Sequence, residues 1–285
     1  MAFIPPMGYI GKVEAFNLSN LRATSASLNA KQAINHPEVI DGAVDWTLWQ
    51  LAGIEIDGDL VFPVFGGLIT SSKFFLVRQP DGQPTPMPDV TIGYGLAGTR
   101  TFSGCMINTY EVRASAGERV DLTVNVWATG LSESLSHPAT GGGIGVAVTP
   151  PTRIISWADV DINITGADEC LVREVTITVN NSLVRNYTFC DESGYRPYNI
   201  GAGKRQVSGS IGFQGSSPPG LRPSNPDSGI ANDSLDNDVS FNINSSGDSL
   251  LCKRCVFEYQ NIEAQPALIV STVNFYAHGT NDAIS

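Results

Sequence analysis

Residues 101–130 read TFSGCMINTYEVRASAGERVDLTVNVWATG. Apolar Val120, Leu122, Val124 and Val126 alternate there with Asp121, Thr123 and Asn125. Successive side chains of a strand point to opposite faces, so this period of two predicts a strand with one buried and one wet side. A second strand is predicted over 108–114. The turn Ser115-Ala116-Gly117-Glu118 joins the two as a hairpin.

The pattern returns 149 positions later. Residues 250–279 read LLCKRCVFEYQNIEAQPALIVSTVNFYAHG and align with the first stretch without gaps. Tyr110 meets Tyr259, Thr123-Val124-Asn125 meets Thr272-Val273-Asn274, Ala128 meets Ala277 and Gly130 meets Gly279. Similar residues fill the gaps, as in Val120 with Ile269, Val126 with Phe275 and Trp127 with Tyr276. The identities cluster, and the spacing is about half the chain, so the sequence predicts an internal repeat. The second turn is rewritten around Pro266. A fainter echo links residues 38–50, EVIDGAVDWTLWQ, with 205–214, RQVSGSIGFQ. In each a β-branched residue stands two before a glycine.

Further strands are predicted over 60–65, 74–78, 154–164, 172–179 and 183–189 from their β-branched and aromatic content. Asn180-Asn181 would turn the last two into a tight hairpin. Residues 45–51 read as strand, although Val44, Leu48, Leu51 and Ala52 would also share a helix face. The fold class is therefore all-β, with little helix. Two related β-sandwich or barrel halves stand in tandem, over residues 1–131 and 152–285. Residues 132–151 form the linker, carrying Gly141-Gly142-Gly143-Ile144-Gly145 and Pro150-Pro151. Two long irregular segments, 79–89 and 216–237, interrupt the halves, and such segments are usually functional.

Charge narrows the function. There are 28 acidic and 17 basic residues, a net charge of −11, and the only basic doublets are Lys204-Arg205 and Lys253-Arg254. Gripping a phosphate backbone needs clustered cations, so nucleic-acid binding is not expected. Residues 1–8, MAFIPPMG, have neither a basic nor an apolar signal region. No apolar run reaches the ~20 residues of a spanning helix, so no membrane partner is expected.

No catalytic constellation emerges, and no enzymatic activity is expected. His36, His137 and His278 stand apart from any nucleophile motif. Gly8-Tyr9-Ile10-Gly11 and the glycines at 141–145 lack the Lys-Ser/Thr tail of a phosphate loop. Asp159 and Asp161 would point to one face of a strand, a pair more in keeping with solvent than with a cation. Asp227, Asp233, Asp236 and Asp238 lack EF-hand spacing. Cys252-x-x-Cys255 has no second pair at zinc spacing, since nineteen residues separate Cys170 from Cys190 and Cys105 is alone. The five thiols read as buried small hydrophobes. No catalytic, cofactor-binding or metal-binding residue, and no cofactor, is assigned.

Several stretches resemble the tail tube proteins of long-tailed bacteriophages. They are Gly104-Cys105-Met106-Ile107-Asn108-Thr109-Tyr110 with Ala116-Gly117-Glu118-Arg119-Val120, the apolar run 155–164, residues 174–181 ending in Asn-Asn, and 203–211, GKRQVSGSI. The resemblance spans most of residues 38–279. It implies a structural virion protein, assembled in the host cytoplasm, whose edge strands join into a closed ring. Rings stack into a tube, the conduit for DNA ejection. The implied partners are the chain itself, other tail proteins at the tube ends, and genomic DNA passing through the lumen without specific binding. Because the halves repeat, three chains would fill the six places of a ring, a homotrimer with pseudo-sixfold symmetry. A homohexamer is the alternative. Residues 216–237 and 79–89 would then reach neighbouring rings. A second reading is a β-sandwich receptor- or glycan-binding tail component. It would expose aromatic platforms, whereas Trp46, Trp49, Trp127 and Trp157 lie in strand-like stretches suited to core packing.

Overall fold

The computed structural model describes residues 13–35, 50–93, 98–134, 153–164, 172–187, 196–214, 237–265, 268–279 and 283–285. Its strands in the first half are β1 (Val13–Ala15), β2 (Leu18–Leu21), β3 (Ser25–Ala26), β4 (Asn29–Asn35), β5 (Gln50–Pro63), β6 (Val90–Gly93), β7 (Thr99–Ser103), β8 (Met106–Ser115), β9 (Asp121–Ala128) and β10 (Gly130–Ser134). The second half supplies β11 (Val160–Ile164), β12 (Val172–Asn180), β13 (Val184–Asn186), β14 (Asn199–Gly201), β15 (Gln206–Gln214), β16 (Val239–Ile243), β17 (Asp248–Cys252), β18 (Cys255–Gln265) and β19 (Leu268–Ala277). Among the described residues one α-helix, α1 (Leu68–Lys73), interrupts the strands. The fold is all-β, as the alternating pattern predicts, and among the described residues no sheet closes into a barrel.

One nine-stranded sheet runs β18-β19-β15-β12-β8-β9-β5-β3, with β4 continuing the edge beside β5. It is shared by the two halves. β12 of the second half pairs antiparallel with β8 of the first, from Glu174↔Ser115 to Asn180↔Thr109. A five-stranded sheet, β10-β7-β6-β1-β2, a three-stranded sheet, β11-β16-β17, and a two-stranded sheet, β13-β14, accompany it. Alternation decides what is buried. Tyr110, Val112, Leu122, Val124, Ile177, Ile211 and Phe275 from the large sheet meet Val13, Val90, Phe102, Val239 and Phe241 from the small ones in one core. Every second residue of the large sheet turns the other way. The small sheets thus cover one face of the large sheet and leave the opposite face polar.

The two halves use the same registers. β1 pairs β6 through Val13↔Ile92, and β11 pairs β16 through Ile162↔Phe241, each residue shifted by 149 (13 to 162, 92 to 241). β5 pairs β9 through Gly58↔Val126, and β15 pairs β19 through Gly209↔Phe275. β4 beside β5 and β12 beside β15 correspond too, in Ala30↔Ile56 and Val179↔Val207, with β4 shifted by 149 (30 to 179) and β5 by 151 (56 to 207). The large sheet therefore consists of two sets in one order, β8-β9-β5-β4 and β18-β19-β15-β12.

Register arithmetic also corrects the gap-free alignment. It set Cys105 over Arg254, but the structural counterpart of Cys105 is Cys255, 150 positions on. Cys105 Sγ donates to the Phe102 carbonyl at 3.2 Å, and Cys255 Sγ donates to the Cys252 carbonyl at 3.3 Å. The residue before each thiol has positive φ, 61° at Gly104 and 53° at Arg254. The slip arises because β8 bulges between Ile107 and Thr109, whereas β18 bulges between Tyr259 and Asn261.

Three local expectations fail for identifiable reasons. Residues 74–78 are not a strand; a 3-10 turn, Phe74–Leu76, follows α1 directly. Leu68, Ile69, Ser72, Phe75 and Leu76 are buried, a helical spacing that a short apolar run conceals. Asn180-Asn181 does not close a hairpin. Asn180 instead accepts the Ser182 N–H at 2.8 Å and ends β12, and β13 turns to pair with β14. Asp159 and Asp161 do not share a strand face. Asp159 closes a 3-10 turn, accepting from the Ser156 N–H at 3.1 Å and from Arg153 at 2.6 Å, and Asp161 is exposed on β11. Those hydrogen bonds, foremost from the Ser156 backbone, lower the Asp159 carboxyl below its ordinary value.

Cys105, Cys252 and Cys255 are free and buried; Cys170 and Cys190 lie outside the described residues. Burial raises all three thiols, Cys105 and Cys255 up to about 12 and Cys252 further. A raised folded value means that the unfolded chain releases the proton first as pH climbs. Their stabilisation is therefore complete below about pH 9 and is lost between about 9 and 12, at up to about 1.4 kcal/mol per pH unit for each thiol. Melting temperature should be flat from pH 7 to 8.5 and fall steeply by pH 10.5. A flat profile to pH 11 would contradict the burial of these thiols.

Candidate functional site

The face of the nine-stranded sheet turned away from the core is polar, and β13 lies over part of it through Arg185. β5 contributes Glu55, Asp57 and Asp59; β8 contributes Thr109, Glu111 and Arg113; β9 contributes Asp121, Thr123, Asn125 and Trp127. β12 adds Glu174, Thr176, Thr178 and Asn180, β15 adds Ser208 and Ser210, and β18 and β19 add Glu258, Thr272 and Asn274. The period of two that buries Val124 and Ile177 is what sends these residues outward.

Hydrogen bonds tie neighbouring strands across this face. Asn125 Nδ2 donates to Asp59 at 2.8 Å, and Asn108 Nδ2 donates to Asn125 at 3.3 Å. Arg113 bridges to Glu174 at 2.9 Å, joining the two halves across the β8·β12 seam. Both partners are well exposed, so the pair adds little stability. Arg185, from β13, is the better-buried cation. Its guanidinium lies 3.8 Å from the Trp127 ring centroid and bridges to Glu55 and Asp57. Stacking plus paired carboxylates suits a planar guanidinium. Trp127 is therefore not a core residue as its strand context suggested. It sits on the polar face and is covered by Arg185. Trp157 does pack against the core, from a 3-10 turn; Trp46 and Trp49 lie outside the described residues.

The seam is sealed at its end by Asn181, only 1% exposed. Its N–H donates to the Asn108 carbonyl and its Nδ2 to the Ile107 carbonyl, both at 2.8 Å. The Asn108 side chain in turn accepts the Leu183 N–H at 3.1 Å. From the sequence Asn181 is expected only to be a turn residue. Neither Arg185 nor Asn181 has a local signal, because their partners are distant in the chain.

Among the described residues the large sheet ends in two edges without a further strand, β3 with β4 on one side and β18 on the other. Edge strands present unpaired backbone groups and are templates for another strand. A separate shallow cavity of about 340 Å³ is lined by Thr70, Lys73, Phe74, Leu76, Val77, Ile284 and Ser285, with Phe74 61% exposed.

Of the two long segments, 79–89 is held by its own chain. Arg78 donates to the Gly203 carbonyl at 2.9 Å and the Asn181 carbonyl at 3.4 Å, and Gln83 accepts the Ala202 N–H at 3.3 Å. Segment 216–237 falls outside the described residues except at its last position, as do the linker residues 135–151, His36 and His137, and Asp227, Asp233 and Asp236. His278 is exposed, and Asp238 accepts the Arg254 N–H at 2.9 Å. Among the described residues no three His, Cys, Asp or Glu side chains gather as metal ligands, and no helix is long and apolar enough to cross a membrane.

A family model described as phage tail tube protein matches residues 49–214. That span runs from β5 through β15 and includes the β12·β8 seam. No curated protein matches the chain.

Proposed function

The chain belongs to the phage tail tube protein family, a structural component of the virion tail, and on that premise we propose that it forms stacked rings of three copies each. One observation carries the number. The large sheet holds two four-strand sets in one order, β8-β9-β5-β4 and β18-β19-β15-β12, joined head to tail. A head-to-tail contact leaves a complementary edge at each end, and repeating it generates a ring if the rotation closes. Each chain, read as a tandem duplicate, then occupies two of six equivalent places.

In this ring the polar face turned away from the core lines the lumen. It carries Glu55, Asp57, Asp59, Glu111, Asp121, Glu174 and Glu258 against Lys31, Arg113 and Arg185. All three cations already face carboxylates. The surplus is negative, so passing DNA meets repulsion and hydroxyl and amide groups, with no clustered cation to hold a phosphate. The ring serves as a conduit for DNA ejection without binding a sequence.

Mass per ring, measured by electron microscopy on assembled tubes, tests the count. Three chains per ring are expected. Six chains per ring would overturn the trimer, and failure to form any ring or tube would overturn the reading as a whole.

A further inference from the structure

Resting on that ring reading, we propose that the β12·β8 seam inside the chain is the template of the contact between chains. β4 of one copy adds antiparallel to β18 of the next, with Lys31 opposite Glu258.

The registers dictate the partners. β4 occupies in the first half the place of β12 in the second, and β18 occupies the place of β8. Inside the chain, Asn180 lies opposite Thr109 and Val179 opposite Tyr110. Moving β12 back by 149 positions gives Lys31 and Ala30. Moving β8 forward by 149 gives Glu258 and Tyr259. The contact between copies then places Lys31 opposite Glu258 and Ala30 opposite Tyr259.

Three observations favour this contact. The first is charge. Lys31 and Glu258 are exposed and lie on the same polar face, since Lys31 sits opposite Glu55 and Glu258 opposite Asn274. Opposite charges directly across an antiparallel pair attract. The second is burial. Ile107, at the seam, is 1% exposed, whereas its counterpart Phe257 is only half-buried against Phe275. An added strand at β18 would bring the incoming chain beside Phe257, as Asn181, just past β12, lies beside Ile107. The third is the pair of edges itself. Each chain has one edge of the β12 type and one of the β8 type, so a second copy fits both and closes the backbone hydrogen bonds.

The test uses the full chain with Lys31→Cys and Glu258→Cys combined. Opposed residues in an antiparallel pair have Cβ atoms about 4.5–5.5 Å apart, close enough for mild oxidation to join them. Assembled tubes should give disulfide-linked dimers and a ladder ending at three chains on a non-reducing gel. Each single variant and the wild type, with its native thiols, should stay monomeric. A ladder ending at six would uphold this contact and overturn the three-chain ring. Tubes that assemble but do not cross-link, or that cross-link equally from Asn29→Cys with Glu258→Cys, would overturn the contact and leave the ring standing. A charge exchange supplies a second readout. Lys31→Glu or Glu258→Lys alone should raise the concentration needed for assembly about 2- to 5-fold, and the two together should restore it. Equal effects that simply add would count against direct opposition.

Discussion

Asp248→Ala will lower the unfolding free energy by about 3–5 kcal/mol, read as a fall in denaturant midpoint at unchanged slope. The helix α1 has six residues, begins at Gly67 with φ 87°, and has no side-chain cap of its own. Its acceptor comes from β17 in the other half. Asp248, 1% exposed, takes the Gly67 N–H at 2.6 Å and the Thr70 N–H at 3.0 Å, and also accepts from the hydroxyls of Thr70 and Ser246. Four donors converge on one carboxylate, and bonds to a charged group contribute about 1.5–3 kcal/mol each before desolvation is counted. Alanine leaves the backbone donors unpaired in a site closed to water. Asp248→Asn keeps an acceptor of similar shape and should cost roughly half as much. A loss under 1 kcal/mol for Asp248→Ala would mean that these bonds do not hold the helix.

Gly58→Ala will cost about 3 kcal/mol and abolish assembly into tubes. A Cβ at Gly58 would lie 2.4 Å from the Ser27 carbonyl oxygen and 2.5 Å from the Leu28 Cα. These are backbone atoms, so no side chain can rotate away. The Ser27–Leu28 connection that leads into β4 must move, and β4 is the edge on which the proposed ring closure depends. Gly209 offers a comparison. Its Cβ would meet the Thr176 carbonyl oxygen at 2.4 Å and the Phe275 ring at 2.4 Å. Gly209→Ala should destabilise by a similar amount, but the disturbed strand is β12, inside the chain. Stability by chemical denaturation and tube yield by microscopy separate the two effects. Normal tubes from Gly58→Ala would refute the role given to that edge.

Much of this was readable in the sequence where structure is local. The alternation over 120–126 and its return at 269–275 mark β9 and β19 in the sequence alone. What joins the halves was not readable. β12 pairs with β8 across more than fifty residues, and no turn chemistry announces such a partner. The equivalence of Cys105 and Cys255 was hidden by bulges that shift one strand by a residue at different points. α1 was missed because Leu68–Lys73 is too short to show a period, and its cap stands at Asp248. Trp127 was misassigned to the core because alternation says which residues share a face, not which face is covered.

The seam between β12 and β8 has a kinetic consequence. A closed ring of six equivalent places has six junctions. If every place were a separate molecule, all six would form by collision at whatever concentration the host cell supplies. In the proposed three-chain ring half of them would form within one molecule, where the connecting chain holds β12 near β8 and raises its effective concentration above that of a free copy. Ring nucleation would then be a three-body event instead of a six-body one. Tube growth would depend less steeply on how much protein has been made, with half the junctions finished before any partner arrives.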